Sequence, residues 1–295
     1  MSIYQDKTAF VSGGAEGIGL AIAESYGKRG MNVVLADIDE QQLEIGERTL
    51  SDQGINVLSV PLDVVEPEQW QTAVDQSLSK FGKIHMLVNN AGVSGAPGPI
   101  EKTNHKDWRW VVDVNLMGVI FGAEAVVPHI KSHGEGGWLI NVASMAGMSG
   151  VPFANAYTAT KVAVVGMSES WRFELSKHDI LVSVLCPAFV KTRIHLSQRN
   201  KQPQYRNPPK PKSDKPATTA KNPAQELVEN GIDPSTVGER VVEAVEAKEL
   251  YIFTHPNHRE MIHKRSAAVD SAFERAAKSP LLEETLSIDP EITFD

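Results

Sequence analysis

Tyr157 and Lys161 stand four residues apart in Tyr157-Thr158-Ala159-Thr160-Lys161, thirteen residues after Ser144. Four residues is about one helical turn, so phenol and ammonium share a helix face. A cation beside a phenol favours the phenolate and lowers a pKa that is ordinarily about 10. A hydroxyl from another segment would then hold a substrate oxygen against that acid/base pair. Such a site moves a proton on or off an alcohol. It does redox chemistry only if a hydride carrier binds beside it.

The start of the chain supplies evidence for one. Thr8-Ala9-Phe10-Val11 leads into Ser12-Gly13-Gly14-Ala15-Glu16-Gly17-Ile18-Gly19 and then into a helix. Strand, glycine turn and helix in that order suit a dinucleotide pyrophosphate. Glycines permit a tight turn and close backbone approach, and the helix start adds N–H groups and positive dipole. Asp37 ends the second strand, 18 residues after Gly19. Its carboxylate would accept both ribose hydroxyls of adenosine, or else would cap a helix over residues 39–53. A carboxylate there also repels a 2′-phosphate. Glu16 stands in the turn and Ile38-Asp39-Glu40 follows Asp37, with no Arg or Lys in either place. NAD is therefore expected over NADP.

The elements that must position these residues alternate. Strands are expected at residues 8–12, 32–36, 56–61, 86–89, 138–142, 181–185 and 250–253. Helices are expected at 17–29, 39–53, 67–80, 106–132, 155–177, 235–247 and 256–277. Apolar strands alternating with helix-length amphipathic segments predict an α/β fold with a doubly wound parallel sheet. The expected organisation is one Rossmann-type domain over residues 1–280, with a tail from 281 to 295. An enlarged substrate loop at about 189–231 interrupts the rhythm with six prolines between Pro203 and Pro223. Between residues 189 and 222, nine Lys/Arg face the single acid Asp214. That loop reads either as a solvated segment or as a basic lid that draws in anionic substrates.

Composition narrows the partners. The chain has 295 residues, 41% hydrophobic and 22% charged, with a net charge of −8. This argues against a nucleic-acid binder. The one cysteine, Cys186, has no partner for an intramolecular disulfide, and no Cys cluster suggests a metal. No signal-peptide pattern and no run of about 18 consecutive apolar residues stands out, which fits a cytoplasmic protein with no membrane contact.

By these residues the chain resembles the short-chain dehydrogenase/reductase family. The family's glycine motif matches Ser12-Gly13 through Gly17 and Gly19, with serine in place of threonine. Asn89-Asn90-Ala91-Gly92 matches its motif after the fourth strand, and Asp63-Val64 occupies its adenine-contacting place. Pro187-Ala188-Phe189-Val190-Lys191-Thr192 is similar to its run after the sixth strand, with Ala188 replacing glycine. The resemblance implies Asn115, Ser144, Tyr157 and Lys161 as the catalytic set. It implies cofactor contacts from Ser12, Gly13, Gly17, Ile18, Gly19 and Asp37, then from Asp63, Val64, Asn90 and Gly92. Tyr157, Lys161, Val190 and Thr192 complete them.

The implied reaction is hydride transfer between NAD and a secondary alcohol or ketone. Tyr157 would exchange the proton, Lys161 would lower its pKa, Ser144 would orient the substrate oxygen, and Asn115 would hold a water linked to Lys161. A homodimer or homotetramer is implied too. The later half is more loosely similar to bacterial dehydrogenases of lignin-derived aryl alcohols. Alternatives are a 3-ketoacyl-thioester reductase, which Asp37 and Glu16 disfavour, and a non-catalytic NAD-binding protein, which the intact Tyr157 and Lys161 disfavour. His129, His133, His255, His258 and His263 read as surface residues. Met145, Met148, Phe153, Phe189 and Ile194 read either as core or as the wall of an apolar substrate pocket.

Overall fold

Strands that are apolar on both faces need cover on both faces. The computed structural model, which describes residues 2–208 and 223–288, supplies it. The strands are β1 (Thr8–Ser12), β2 (Asn32–Asp37), β3 (Val57–Pro61), β4 (Met86–Asn89), β5 (Gly137–Val142), β6 (Ile180–Cys186) and β7 (Tyr251–Phe253). Among the described residues they form one parallel sheet ordered β3-β2-β1-β4-β5-β6-β7. Winding reverses between β1 and β4. Ligands of open α/β sheets bind at such a switch point, beyond the carboxyl ends of the strands.

Helices α1 (Gly17–Gly27), α2 (Glu40–Ser51) and α3 (Pro67–Phe81) carry the first crossovers. Side chains alternate along β1: Ala9 and Val11 join a core with Ile22, Tyr26, Val241 and Val245, while Phe10 joins the other core with Trp70 and Trp110. Each face of the sheet therefore closes its own hydrophobic layer. Helix starts are fixed locally. Asp39 accepts from the Gln42 N–H at the start of α2. Asn104 does the same for Lys106 at the start of α4 (His105–Val112).

The helix expected over 106–132 is broken. It runs as α4, a π-helical turn Asp113–Met117, and α5 (Gly118–His133). The bulge is pinned by tertiary bonds from Asn115, which no periodicity shows, and π-turns recur at functional sites. By length and composition the run His105–His133 would be long and apolar enough to cross a bilayer, but half of its apolar window is buried. Trp110, Val126 and Ile130 lie in the core, so it is a core helix.

Beyond β5 come the short α6 (Met145–Met148) and the long α7 (Asn155–Ser176). After β6 the chain makes 3-10 turns at Ile194–Asn200 and Pro203–Tyr205, then α8 (Pro223–Glu229) and α9 (Pro234–Glu246). The expectations for residues 209–222, including four of the nine lid cations, lie outside the described residues, as do those for 289–295. The chain divides into two compact units, Met1–Thr254 and His255–Asp295. The second contains α10 (Arg259–Ala277), none of whose side chains is buried, and a 3-10 turn at Pro280–Ser287.

Candidate active site

The glycine turn leaves β1 at the switch point. Gly13 and Gly17 adopt φ of +61° and +58°, a left-handed backbone that favours glycine. A Cβ at Gly19 would stand 2.2 Å from the Gly13 carbonyl, and one at Gly13 would stand 2.7 Å from Ala91 Cα. The turn thus packs backbone on backbone, and only glycine fits. Ser12 Oγ accepts from the N–H groups of Asn90 and Ala91 at 3.1 and 3.3 Å. The Asn90 amide returns bonds to the carbonyls of Ser12 and Gly13. These two residues brace the turn against the end of β4.

Unlike α2 and α4, α1 has no side-chain cap and no acidic residue in its first turn. Its leading N–H groups are left for an anion. Asp37 is not the cap of α2; Asp39 fills that place. Asp37 instead accepts from Ala15 N–H at 3.2 Å and Asp39 N–H at 3.0 Å, tying the turn to the end of β2. Burial pushes its carboxyl above the usual carboxylate value, and the two backbone bonds oppose that shift. Glycine cradle, uncapped helix start and an acid at the end of β2 fit a dinucleotide.

Asn115 is fully buried, and its side chain is used on both sides: Oδ1 accepts from Val93 N–H at 2.8 Å and Nδ2 donates to Val93 O at 2.9 Å. A Cβ on Gly92 would lie 3.5 Å from Asn115 Oδ1 and 3.7 Å from Lys161 Nζ, so the two side chains are near neighbours around that glycine. The Ser144 hydroxyl caps α6 by accepting from Ala146 N–H at 3.1 Å and donates to Pro187 O at 3.5 Å, and it lies close enough to the Tyr157 phenol to lower its pKa. Lys161, 3% exposed, donates to Val142 O at 2.7 Å, with Nζ 5.7 Å from the centre of the Tyr157 ring. Asn115, Ser144, Tyr157 and Lys161 therefore converge, although they come from a π-turn, a short-helix cap and two turns of α7.

The electrostatics differ from the simple helix-face picture. Burial raises the Tyr157 phenol above its ordinary value, and the Ser144 hydroxyl lowers it. Lys161 lies beside the ring and bonds a carbonyl, so its effect on the hydroxyl is not the leading one. Desolvation instead brings Lys161 itself down to about 8. A buried lysine with a perturbed pKa beside a half-buried phenol marks a candidate functional site.

The apolar candidates separate. Met145 is buried and belongs to the core, whereas Met148, Phe189 and Ile194 are half-buried. Phe153 is 59% exposed and takes φ +65°, held by Gly98 N–H donating to its carbonyl at 2.9 Å. Val151, Ile100 and Leu196 are exposed as well.

Three of the five described cations of the basic loop meet carboxylates. Arg193 and Arg199 both bond Glu16 in the glycine turn, Arg199 also lies 3.8 Å from Asp39, and Lys201 bonds Asp107. Sequence reading found no cation near Glu16 because these arginines arrive from more than 170 residues away. It also missed Gln202, which donates to both oxygens of Asp63. His133, expected on the surface, is half-buried and packs against His85 with ring centres 4.7 Å apart.

A family model described as short chain dehydrogenase matches residues 7–203. The chain is 35% identical to a "CLA biosynthesis dehydrogenase/reductase" of Lactiplantibacillus plantarum, over 90% of this chain and 93% of that protein. It is 31% identical to a "C alpha-dehydrogenase" of Sphingobium sp., over 91% and 87% respectively. Among solved structures, a short chain dehydrogenase/reductase from Burkholderia phymatum in complex with NAD matches with a TM-score of 0.84 at 32% identity, covering 99% of this chain and all of that one.

Proposed function

The chain belongs to the short chain dehydrogenase family and is an oxidoreductase of the dehydrogenase class, and from that premise we propose that it oxidises a secondary alcohol with NAD, or reduces the matching ketone. The observation that carries the reading is the convergence of Ser144, Tyr157 and Lys161 at the switch point beside the glycine turn. When bound, the nicotinamide supplies the site that takes or gives the hydride.

The chain's own residues handle the proton. Ser144 holds the substrate oxygen, and its hydroxyl beside the phenol lowers the Tyr157 pKa. Tyr157 accepts the hydroxyl proton in oxidation and returns it in reduction. Lys161 adds positive charge beside the ring and stands where a nicotinamide ribose would be held. Because the Asn115 side chain is committed to Val93, any water it holds for Lys161 falls to its backbone. Gly13, Gly17, Ile18 and Gly19 would take the pyrophosphate, and Gly92, Val190 and Thr192 would border the nicotinamide half.

NAD is preferred over NADP because Asp37 meets the adenosine ribose, and because Arg193 and Arg199 are neutralised by Glu16 and Asp39. A hydrophobic or aryl alcohol is the substrate class that fits the exposed Phe153, Val151, Ile100 and Leu196. Val162 and Phe173, exposed on α7, suit packing against a second copy. Turnover of a panel of aliphatic and aryl secondary alcohols with NAD and NADP tests the function. No turnover with any of them, or a preference for NADP, overturns it.

A further inference from the structure

Residues 194–206 cross the cofactor edge of the sheet and end on α4. Among them Gln202 is only 9% exposed. A glutamine is rarely so buried without a polar task. Its amide orientation follows from its neighbours. The indole of Trp110 can only donate and an ionised carboxylate can only accept. Gln202 Oε1 therefore accepts from Trp110 Nε1 at 2.9 Å, and Nε2 donates to Asp63 Oδ1 and Oδ2 at 2.8 and 2.9 Å. Trp110 is itself fully buried in the core.

The three groups form a chain of directed bonds from the core to one carboxylate. Val65 N–H adds a weaker bond to Asp63 Oδ1 at 3.3 Å. Together they fix the plane of the Asp63 carboxylate, while about four acceptor positions on its two oxygens leave room for a further donor. The segment bearing Gln202 is anchored on both sides. Lys201 bonds Asp107 and lies 4.9 Å from the Trp110 ring centre, and Tyr205 OH donates to Asp113 at 2.8 Å.

We propose that Gln202 is a positioning residue for the adenine end of the cofactor, orienting Asp63 to accept from the adenine amino group. This rests on the reading of Asp63 as an adenine contact. It makes the segment after β6 part of the cofactor site, and not of the substrate site alone. A carboxylate free to rotate would meet the amino group less often, so losing Gln202 weakens NAD without touching the chemistry.

The test uses Gln202→Met, which keeps the length and removes both polar contacts, with dissociation constants from calorimetry. The ligands are NAD and nicotinamide hypoxanthine dinucleotide, which carries a carbonyl where adenine has its amino group. The wild-type protein should prefer NAD, and Gln202→Met should weaken NAD about tenfold, the size of one bond to a charged group. The variant should bind the hypoxanthine analogue and nicotinamide mononucleotide as before, with kcat unchanged at saturating NAD. A wild-type protein that does not discriminate between the dinucleotides sinks the reading of Asp63. Discrimination that Gln202→Met keeps in full sinks the role of Gln202 alone. Tighter NAD binding by the variant would make Gln202 a competitor for the carboxylate and overturn the proposal. Weakened mononucleotide binding would do so too, by showing general loosening of the fold.

Discussion

The two ends of the sheet bury titratable groups in opposite ways. At the amino end, His85 accepts from Thr8 N–H through Nδ1 at 3.1 Å and meets Glu135 through Nε2 at 3.1 Å. Glu135 also takes Lys83, and Lys7 lies at 3.6 Å. The neighbouring His133 is saturated by the Ile84 carbonyl and Glu135 N–H. His85, His133 and Glu135 are close enough together to hold a metal ion, but their nitrogens are already committed. At the carboxyl end, no carboxylate pairs with Lys161 among the described residues, and its Nζ bonds a backbone carbonyl. Matched charges are what a fold needs for its own stability. A buried charge left without a counter-ion costs stability and is kept for chemistry.

The sharpest way to break that contrast is Tyr157→Phe. Turnover should fall by at least about 10²–10⁴, the usual worth of a positioned acid/base, while calorimetric NAD binding persists. Residual activity near the wild-type level would return the carboxyl end to ordinary packing.

Lys161→Met should likewise abolish most turnover yet raise the melting temperature at pH 7.5, because it removes a desolvated ammonium. The sign with pH is definite. Lys161 falls to about 8 in the folded protein against 10.5 unfolded. Between those values the unfolded chain binds more protons, so wild-type stability gains with rising pH. Denaturant unfolding of the two proteins at pH 7.5 and 10 should show the gap between them narrowing at the higher pH. A gap that stays constant would contradict the lysine's burial as the cause.

Ser144→Ala has a smaller expected effect with a distinct signature. The serine hydroxyl lowers the Tyr157 pKa, so without it the rise of kcat/KM for alcohol oxidation should move to higher pH. A pH profile that merely scales down would assign Ser144 to substrate binding alone.

Glu135→Gln should do least to catalysis, keeping kcat within about twofold, since it acts on stability and not on the transition state. Lys83 and His85 hold the Glu135 carboxyl down at about 2, below the unfolded value of 4.5. Its contribution is present above 4.5 and fades as pH falls toward 2. The wild-type and variant melting curves should therefore converge on acidification. A catalytic defect instead would mean the two ends of the sheet are not separate in function.

How far the sequence reached depends on the range of the physics involved. The strands were legible to within one or two residues, because apolar runs and turn residues are local signals. The glycine turn, Asp37 and the Tyr157–Lys161 spacing were legible for the same reason. The four-residue α6 and the 3-10 turns after β6 were not, being too short to show a period.

By itself, then, the sequence determined the sheet, the cofactor turn and the helix that sets phenol beside ammonium, since each is specified within a few dozen residues. Tertiary structure alone decided the rest. It broke the helix at Asn115 by bonding that side chain to Val93, 22 residues back. It turned Phe153 outward, and it brought Arg193 to Glu16 and Gln202 to Asp63 across 177 and 139 residues. Such contacts form only once the sheet has fixed where each loop emerges, so no local pattern along the chain foretells them.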